Sequence, residues 1–169
     1  MTVIEETDVL LRSLRGVWDE EAVDELDHAL QSAARAIDDG ADDELVLAAA
    51  LHDLAHSPRF DAPRAHDRFA RDWLTPRFGP RVGWLAGAHV AAKRYLAATD
   101  PSYTLSETSE ISLHAQGGAG VDAALTAHPW WPDALRLRRY DDAAKVPGAQ
   151  AATIDDVLLI AERIVGQRV

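Results

Sequence analysis

The sequence contains no cysteine among its 169 residues. This absence excludes disulfide bonds, cysteine nucleophiles and thiolate metal sites, and it agrees with a reducing compartment such as the cytoplasm. A metal ion bound by this chain would need imidazole and carboxylate ligands, which suit iron, manganese or zinc. At this length the chain is predicted to form one domain, residues 1–169, whose core needs no covalent cross-links.

Positive charge is also scarce, and the net charge of the chain is -11. Binding to nucleic acid requires clustered lysine and arginine, so no nucleic-acid partner is predicted. The N-terminal residues mix acidic and basic side chains among apolar ones, and no apolar run approaches membrane-spanning length. We therefore expect neither a signal peptide nor a membrane segment, and a cytoplasmic protein that is a monomer or a small homo-oligomer.

The alternation of apolar and polar residues that marks a strand is missing, whereas helical periodicity recurs along the chain. Helices are predicted over 3–15, 20–39, 45–56, 66–74, 80–99, 106–115, 121–127, 132–145 and 154–165. Pro80 suits the first turn of a helix, and Thr153 with Asp156 resembles a capping box. The fold is predicted to be all-α.

The predicted helix 45–56 is apolar until it ends in His52, Asp53 and His56. A helix this apolar should be covered on most sides, and a buried carboxylate without a partner is costly. A metal ion would supply that partner, although a hydrogen-bonded core histidine is the simpler explanation of a lone His-Asp pair. Adjacent helical residues point about 100° apart. His52 and Asp53 would therefore bind one ion only at its edge, or hold two ions between them.

Further candidate ligands occur on other predicted helices. The full set contains four histidines and two aspartates: His28, His52, Asp53, His66, His89 and Asp141. Helical bundles build metal sites from inward-facing side chains on several helices. Six ligands are more than one ordinary zinc site uses, and they indicate two metal ions bridged by a carboxylate.

Lysine is rare, since only Lys93 and Lys145 are lysines among the seventeen lysine and arginine residues. Lys93 follows His89 by four residues, and Lys145 follows Asp141 by the same spacing. On helices, each lysine would share a face with a candidate ligand. Both lysines are predicted to reach the same site, and the alternative is two solvated helix lysines.

The order of these residues resembles the HD-domain superfamily, and in particular its mixed-valent di-iron oxygenases that cleave phosphonates. The similarity covers about residues 16–146. It is carried by 27–31, 51–56, 89–96, 112–113, 116–118 and 139–145. The Ala-Lys-Arg-Tyr-Leu segment that contains Lys93, and the Gln-Gly-Gly segment that begins at Gln116, are much more specific than the His-Asp pair.

The resemblance implies an HD-domain helical bundle with a dinuclear metal site in its core. The implied cofactor is an Fe(II)/Fe(III) pair, with O2 as co-substrate. One iron would be held by His28, His52, Asp53 and Asp141, and the other by His66, His89 and the bridging Asp53. The match to a family Tyr-Asp pair favours Asp141 over its neighbour Asp142.

The resemblance also implies a small anionic substrate, a 1-hydroxyalkylphosphonate, whose C–P bond is cleaved to give phosphate and a carboxylic acid. Lys93 would hold its phosphonate group, Lys145 would face the substrate, and Ser112 and Gln116 would add hydrogen bonds. His56 would lie beside the metal ions. Lys93, Lys145 and His56 are therefore the candidate catalytic residues.

The segment before His28 departs from the family. The phosphonate enzymes carry a tyrosine that caps an iron and, three residues later, a glutamate that meets the substrate's ammonium group. These positions are Trp18 and Glu21 in this sequence, with neighbouring Glu20 as the alternative to Glu21. An indole offers only an N–H donor and cannot ligate iron. Trp18 and Glu21 are thus candidate substrate-binding residues with an altered iron cap.

A second class of function stays open at the level of the sequence. HD phosphohydrolases act on a nucleotide or another phosphoester through a metal-bound hydroxide, and their mononuclear form needs only four of the six ligands. His66 and His89 are the two that it does not need, so they discriminate between the classes. A degenerate HD protein that serves as a binding partner is a third possibility, disfavoured because no candidate ligand has been lost.

Overall fold

The computed structural model describes residues 1–20 and 22–169. These residues form ten α-helices, one short 3-10 turn and no strand. The helices are α1 Val3–Ser13, α2 Glu25–Asp38, α3 Asp43–Leu51, α4 His66–Phe78, α5 Pro80–Gly87, α6 His89–Thr99, α7 Glu107–Ala115, α8 Ala123–Thr126, α9 Trp131–Ala143 and α10 Ile154–Gln167. The all-α prediction is confirmed, and the arrangement is consistent with an HD-type helical bundle. Across the described helices, none has the length and apolar content needed to span a membrane.

Helix α3 lies at the centre of the bundle. Every residue from Leu45 to Leu51 is buried, and α3 packs against α2, α5, α9 and α10. A helix that is apolar on all sides needs neighbours on all sides. Asp42 caps its N-terminus by accepting a hydrogen bond from the Leu45 N–H. Because α3 is enclosed, the residues at its C-terminal end are held inside the bundle.

Helix α3 ends at Leu51, so the prediction of one helix over 45–56 is wrong. His52 is the C-cap residue, Asp53 leaves helical geometry with φ -103° and ψ 19°, and a 3-10 turn follows at Leu54–His56. In a continuing helix the Ala49 carbonyl would pair with the N–H of residue 53. It accepts a hydrogen bond from the His52 ring instead. The ligand atoms of His52 and Asp53 belong to one group whose members lie within 4.8 Å of one another, and Asp53 also belongs to a second group.

The predicted helix over 80–99 is divided into α5 and α6 at Ala88, which has φ -89° and ψ -4°. His89 is the first residue of α6, and its Nδ1 donates a hydrogen bond to the Ala86 carbonyl near the end of α5. Pro80 does occupy the first turn of α5, as predicted. The break turns the His89 ring inward, toward the first residue of α4.

Other helix boundaries also differ from prediction, and α4 continues to Phe78 where the prediction ended it at residue 74. Helix α2 begins at Glu25 and not at residue 20, because Asp24 caps it by accepting the Asp27 N–H. Helix α9 ends at Ala143, so Lys145 lies beyond the helix and not within it. The predicted capping box of α10 is confirmed, with reciprocal hydrogen bonds between Thr153 and Asp156.

Gly83 permits the close packing of α4 against α5, which positions the starts of α4 and α6. A Cβ atom at this position would lie 2.0 Å from Thr75 Oγ1 and 2.9 Å from the Arg71 carbonyl oxygen. The Gly83→Ala variant is expected to lose about 1–3 kcal/mol of unfolding free energy, because the two helices must move apart to admit the methyl group. Chemical denaturation measures this loss.

The matched control is Gly166→Ala in α10, where no atom lies within 4 Å of an added Cβ. Helix propensity alone predicts that this variant gains up to about 1 kcal/mol. If both variants shifted stability in the same direction and by the same amount, the packing role of Gly83 would be refuted.

Candidate metal centre

Four side chains converge at the C-terminal end of α3. They are His28 from α2, His52 and Asp53 from the turn after α3, and Asp141 from α9, and their ligand atoms all lie within 4.8 Å of one another. His28 Nε2 is 3.1 Å from Asp141 Oδ1, and His52 Nε2 is 3.2 Å from Asp53 Oδ2. We refer to these four residues as the first ligand group. They are the four that the family resemblance assigns to one metal ion.

A second ligand group shares Asp53 with the first and consists of Asp53, His66 and His89, whose ligand atoms also lie within 4.8 Å of one another. Asp53 Oδ1 lies 3.6 Å from His66 Nε2 and 3.4 Å from His89 Nε2. The other oxygen, Oδ2, lies 3.4 Å from His28 Nε2 in the first group. The two oxygens of the Asp53 carboxylate thus lie close to the imidazoles of different ligand groups, as they would in a carboxylate that bridges two metal ions.

Backbone carbonyls orient three of the four histidines. The Nδ1 atoms donate to carbonyl oxygens as follows: His28 to Ala144 at 2.9 Å, His52 to Ala49 at 2.7 Å and His89 to Ala86 at 2.6 Å. Each bond places the ring proton on Nδ1 and leaves the Nε2 lone pair available in the neutral ring. Metal-ligating histidines are usually held in this way.

The surroundings of the His52 Nε2 atom show whether the site suits a metal ion. It is buried and has no hydrogen-bond partner among the described residues, although carboxylate oxygens of Asp53 and Asp141 lie 3.2 and 3.3 Å away. The short distances without hydrogen-bond geometry indicate that these atoms converge on a common point. A cation at that point would satisfy the nitrogen and both carboxylates, and imidazole with carboxylate is a suitable ligand set for a transition metal.

The electrostatics of the first ligand group favour a positive charge among its atoms. Burial disfavours the imidazolium form, yet Asp53 and Asp141 raise the pKa of His52 to about 10. Burial and the neighbouring His89 lower the pKa of His66 in the second group to about 4. The first group therefore attracts a cation, and His66 is neutral near pH 7, as a ligand must be.

Arg138 is a buried site residue that the sequence does not single out. Its guanidinium donates to Asp141 Oδ2 at 2.6 Å, to the Tyr103 hydroxyl oxygen at 3.1 Å and to Asp142. Its spacing of three residues from Asp141 on α9 was the available signal. Asp142 accepts hydrogen bonds from Arg138 and Tyr103 and belongs to neither ligand group. Asp141 is therefore the aspartate that faces the centre.

A cavity of about 150 Å³ is lined by residues of both ligand groups. Part of its wall is basic, with Lys93, Lys145 and Arg138, and part is polar and neutral. Lys93 Nζ donates to Ser112 Oγ at 3.1 Å. The buried Oε1 atom of Gln116 has no hydrogen-bond partner in the described part of the chain. Pockets for drug-sized ligands measure about 300–1,000 Å³, so this cavity suits a much smaller anion.

The basic wall is partly neutralised by Glu20, which the sequence offers only as the alternative to Glu21. Its carboxylate lies 3.0 Å from Lys145 Nζ and accepts a hydrogen bond from Ser106 Oγ at 2.9 Å. Burial opposes ionisation of this carboxyl, but the pairing with Lys145 lowers the pKa of Glu20. Lys145 also donates to Ser109 Oγ at 3.0 Å. An internal carboxylate therefore occupies the place where an anionic ligand would meet Lys145.

The other residues predicted to contribute to the site are His56, Trp18 and Glu21, and of the two that the structure describes only His56 is found at the cavity. His56 lines the cavity, with its Nε2 atom 3.9 Å from Asp53 Oδ1. Trp18 is 62% exposed and does not line the cavity. Glu21 lies outside the described residues. The structure thus brings both lysines, Ser112, Gln116, His56 and five of the six ligand candidates to one cavity. His52 does not line the cavity but belongs to the first ligand group, and Trp18 lies at the surface.

Comparison with known proteins finds no matching family model but does find related proteins. A hydroxymethylphosphonate dioxygenase of Gimesia maris is 35% identical over 151 residues, which are 81% of this chain and 75% of the relative. A [1-hydroxy-2-(trimethylamino)ethyl]phosphonate dioxygenase (glycine-betaine-forming) of Leisingera caerulea is 34% identical over 138 residues, with shares of 74% and 70%. An uncharacterized protein of Acanthamoeba polyphaga mimivirus is 30% identical over 150 residues, with shares of 80% and 68%.

Lys93 is expected to bind anions in a pH-dependent manner. Burial, and then the neighbouring charge of Arg138, lowers the pKa of Lys93 to about 8. The lysine is charged below this pH, so affinity for sulfate should fall as the pH rises from about 7 to about 9, a range in which the charge of sulfate is constant. Calorimetric titration of sulfate measures the dissociation constant.

The Lys93→Met variant should bind sulfate at least about tenfold more weakly at pH 7, because a hydrogen bond to a charged group contributes about 1.5–3 kcal/mol. It should also lose the part of the pH dependence that the lysine causes. An unchanged pH profile in this variant would show that another group titrates.

Glu20 is expected to compete with bound anions for Lys145. The Glu20→Gln variant should therefore bind sulfate about two- to fivefold more tightly than the unmodified chain, because an ion pair of this kind contributes up to about 1 kcal/mol. Glu107→Gln is the control, since Glu107 is an exposed carboxylate at the start of α7. Equal affinities for sulfate in both variants would argue against the competition.

Proposed function

Because the chain belongs to the family of the phosphonate dioxygenases, we propose that it is a di-iron oxygenase that cleaves the C–P bond of a small 1-hydroxyalkylphosphonate. One substrate molecule and one O2 give one carboxylic acid and one phosphate. The hydroxylated carbon is oxidised, O2 is reduced, and the phosphorus leaves as phosphate. The observation that carries this proposal is the pair of ligand groups that share Asp53 beside a small cavity, one wall of which carries Lys93 and Lys145.

The proposed metal ligands follow the two groups. His28, His52, Asp53 and Asp141 would hold one iron, and His66, His89 and the bridging Asp53 the other. Two features support this assignment: the buried His52 Nε2 without a partner, and the two Asp53 oxygens that serve different groups. Iron is proposed because oxygenase chemistry needs a redox-active metal and this ligand set suits it. When bound, an Fe(II)/Fe(III) pair would supply the activation of O2.

The basic wall would hold the phosphonate group. Lys93 is fixed by its hydrogen bond to Ser112 and directs a buried ammonium toward the cavity. Lys145 would exchange the Glu20 carboxylate for a phosphonate oxygen, since both are anionic acceptors. The unpartnered Oε1 atom of Gln116 would accept a hydrogen bond from a substrate hydroxyl. These contacts would orient the hydroxylated carbon toward the ligand groups.

Arg138 would act on the centre through Asp141. Its charge, together with His52, holds the pKa of the Asp141 carboxyl well below its ordinary value against the effect of burial. The carboxylate therefore stays ionised and in place. His56, which lines the cavity near Asp53, would offer a group that can exchange a proton with substrate or product.

A phosphohydrolase that acts on a nucleotide or another phosphoester is the second candidate. The first ligand group favours it, because those four residues alone would suffice for a mononuclear hydrolase. The second ligand group and the cavity of about 150 Å³ count against it, since a nucleotide needs more room.

The oxygenase is expected to bind about two irons per chain and to show an EPR signal of a coupled Fe(II)/Fe(III) pair that a hydroxyphosphonate perturbs. O2 uptake and phosphate release should occur in equal amounts. His66→Ala should lose about one iron and nearly all O2 uptake, because it removes a ligand of the second group only.

The matched control is His114→Ala, since His114 is an exposed histidine outside both ligand groups. It should keep the iron content and the O2 uptake. If His66→Ala instead retained its metal and hydrolysed phosphoesters, the mononuclear phosphohydrolase would be the better description.

A further inference from the structure

A third group of potential ligands lies on the wall of the same cavity and shares no residue with the first two groups. Asp19, Glu25 and His56 each offer one ligand atom, and these atoms all lie within 4.8 Å of one another. Asp19 belongs to the segment before α2, Glu25 is the first residue of α2, and His56 ends the 3-10 turn. We refer to Asp19, Glu25 and His56 as the third ligand group.

Glu25 is the residue in this group that points to a ligand. It is only 2% exposed, and its Oε2 atom has no hydrogen-bond partner among the described residues. Burying a carboxylate oxygen without a donor is costly, so such atoms are rare in folded proteins. Asp53 and Asp19 add negative charge nearby, and burial with Asp53 raises the pKa of Glu25 to about 7. The effect of burial and negative charge on Glu25 therefore outweighs that of the neighbouring His28 and His56.

The lysines of the cavity do not supply a cation to Glu25. Lys145 lies 3.0 Å from the Glu20 carboxylate, and Lys93 donates to Ser112 at 3.1 Å. His56 is the basic side chain of the group. Burial opposes its charged form, but the carboxylates of Asp53, Glu25 and Asp19 raise the pKa of His56, so a bound metal ion would replace the proton on its ring. One imidazole and two carboxylates that converge within 4.8 Å form a ligand set for a divalent metal ion.

We propose that the third ligand group binds an additional divalent metal ion, distinct from the two ions of the dinuclear site. The ion would join the segment before α2, the first turn of α2 and the 3-10 turn. With three protein ligands, it would keep coordination positions for water or for an oxygen atom of a bound anion. Because Asp19 is exposed, the ion would exchange with solvent and would bind more weakly than the ions of the enclosed first group.

Zinc binding tests the proposal without relying on catalysis. In equilibrium dialysis followed by elemental analysis, the unmodified chain is expected to bind about three Zn²⁺ at saturation, the last one most weakly. Glu25→Gln, which keeps the shape of the side chain, should bind about two. Asp19→Asn should raise the dissociation constant of the weakest ion at least about tenfold, because it removes one charged ligand.

Two control variants show whether a change in the number of bound Zn²⁺ ions is specific to the third ligand group. Asp27→Asn removes a carboxylate of α2 that pairs with Arg15 at the surface, and it should keep about three ions. His66→Ala removes a ligand of the second group only, and it should lose a strongly bound ion while it keeps the weak one. The third group can therefore be tested whether or not the dinuclear proposal holds. Circular dichroism checks that each variant is folded, and the exposed Asp19 gives a second test if Glu25→Gln does not fold.

Two results would overturn the proposal. One is an unmodified chain that binds no more Zn²⁺ at saturation than the folded Glu25→Gln variant, and whose weakest ion binds no more tightly than in the Asp19→Asn variant. The other is an unchanged Zn²⁺ count in both variants, together with weaker binding of an aminoalkylphosphonate. In that case the third ligand group would serve a ligand's ammonium group and not a metal ion.

Discussion

The Asp53 carboxylate is the interaction on which the centre depends. It is placed at the end of an enclosed apolar helix, and its two oxygen atoms serve imidazoles from different parts of the chain. A buried carboxylate in this position is stable only if positive charge is supplied to it. The bundle therefore gathers imidazoles around Asp53, and the same requirement explains why His28, on α2, and His89, on α6, each lie 3.4 Å from one of its oxygen atoms.

Helical periodicity and the spacing of histidine and aspartate were enough to predict the all-α fold and the residues that converge. The ends of the helices were harder to predict, and three of the incorrect boundaries share one cause. At each boundary, the ring of a histidine donates a hydrogen bond to a backbone carbonyl oxygen. The pairs are His52 with Ala49, His89 with Ala86 and His28 with Ala144. These hydrogen bonds depend on where the rings are held in the folded bundle. Local sequence contains no signal for them.

Arg138 and Glu25 were not predicted, and Glu20 only as an alternative, for a related reason. Each is a charged residue of a common type, and charged helix residues are usually solvated. Their roles depend on the groups around them in the folded chain. Arg138 donates a hydrogen bond to Asp141, Glu20 pairs with Lys145, and the Glu25 Oε2 atom has no donor among the described residues. A chain as acidic as this one offers many such carboxylates, and only the packing distinguishes the few that are buried.

The pairing of Glu20 with Lys145 would let the basic wall distinguish anions with one negative charge from anions with two. A ligand with one negative charge would gain little there, since it would replace one carboxylate with another at the same lysine. A dianion brings additional charge, which Lys93 and Arg138 are placed to meet. Selectivity for doubly charged phosphorus oxyanions over ordinary carboxylates would then arise from an exchange within the protein, and would need no contact that recognises phosphorus itself.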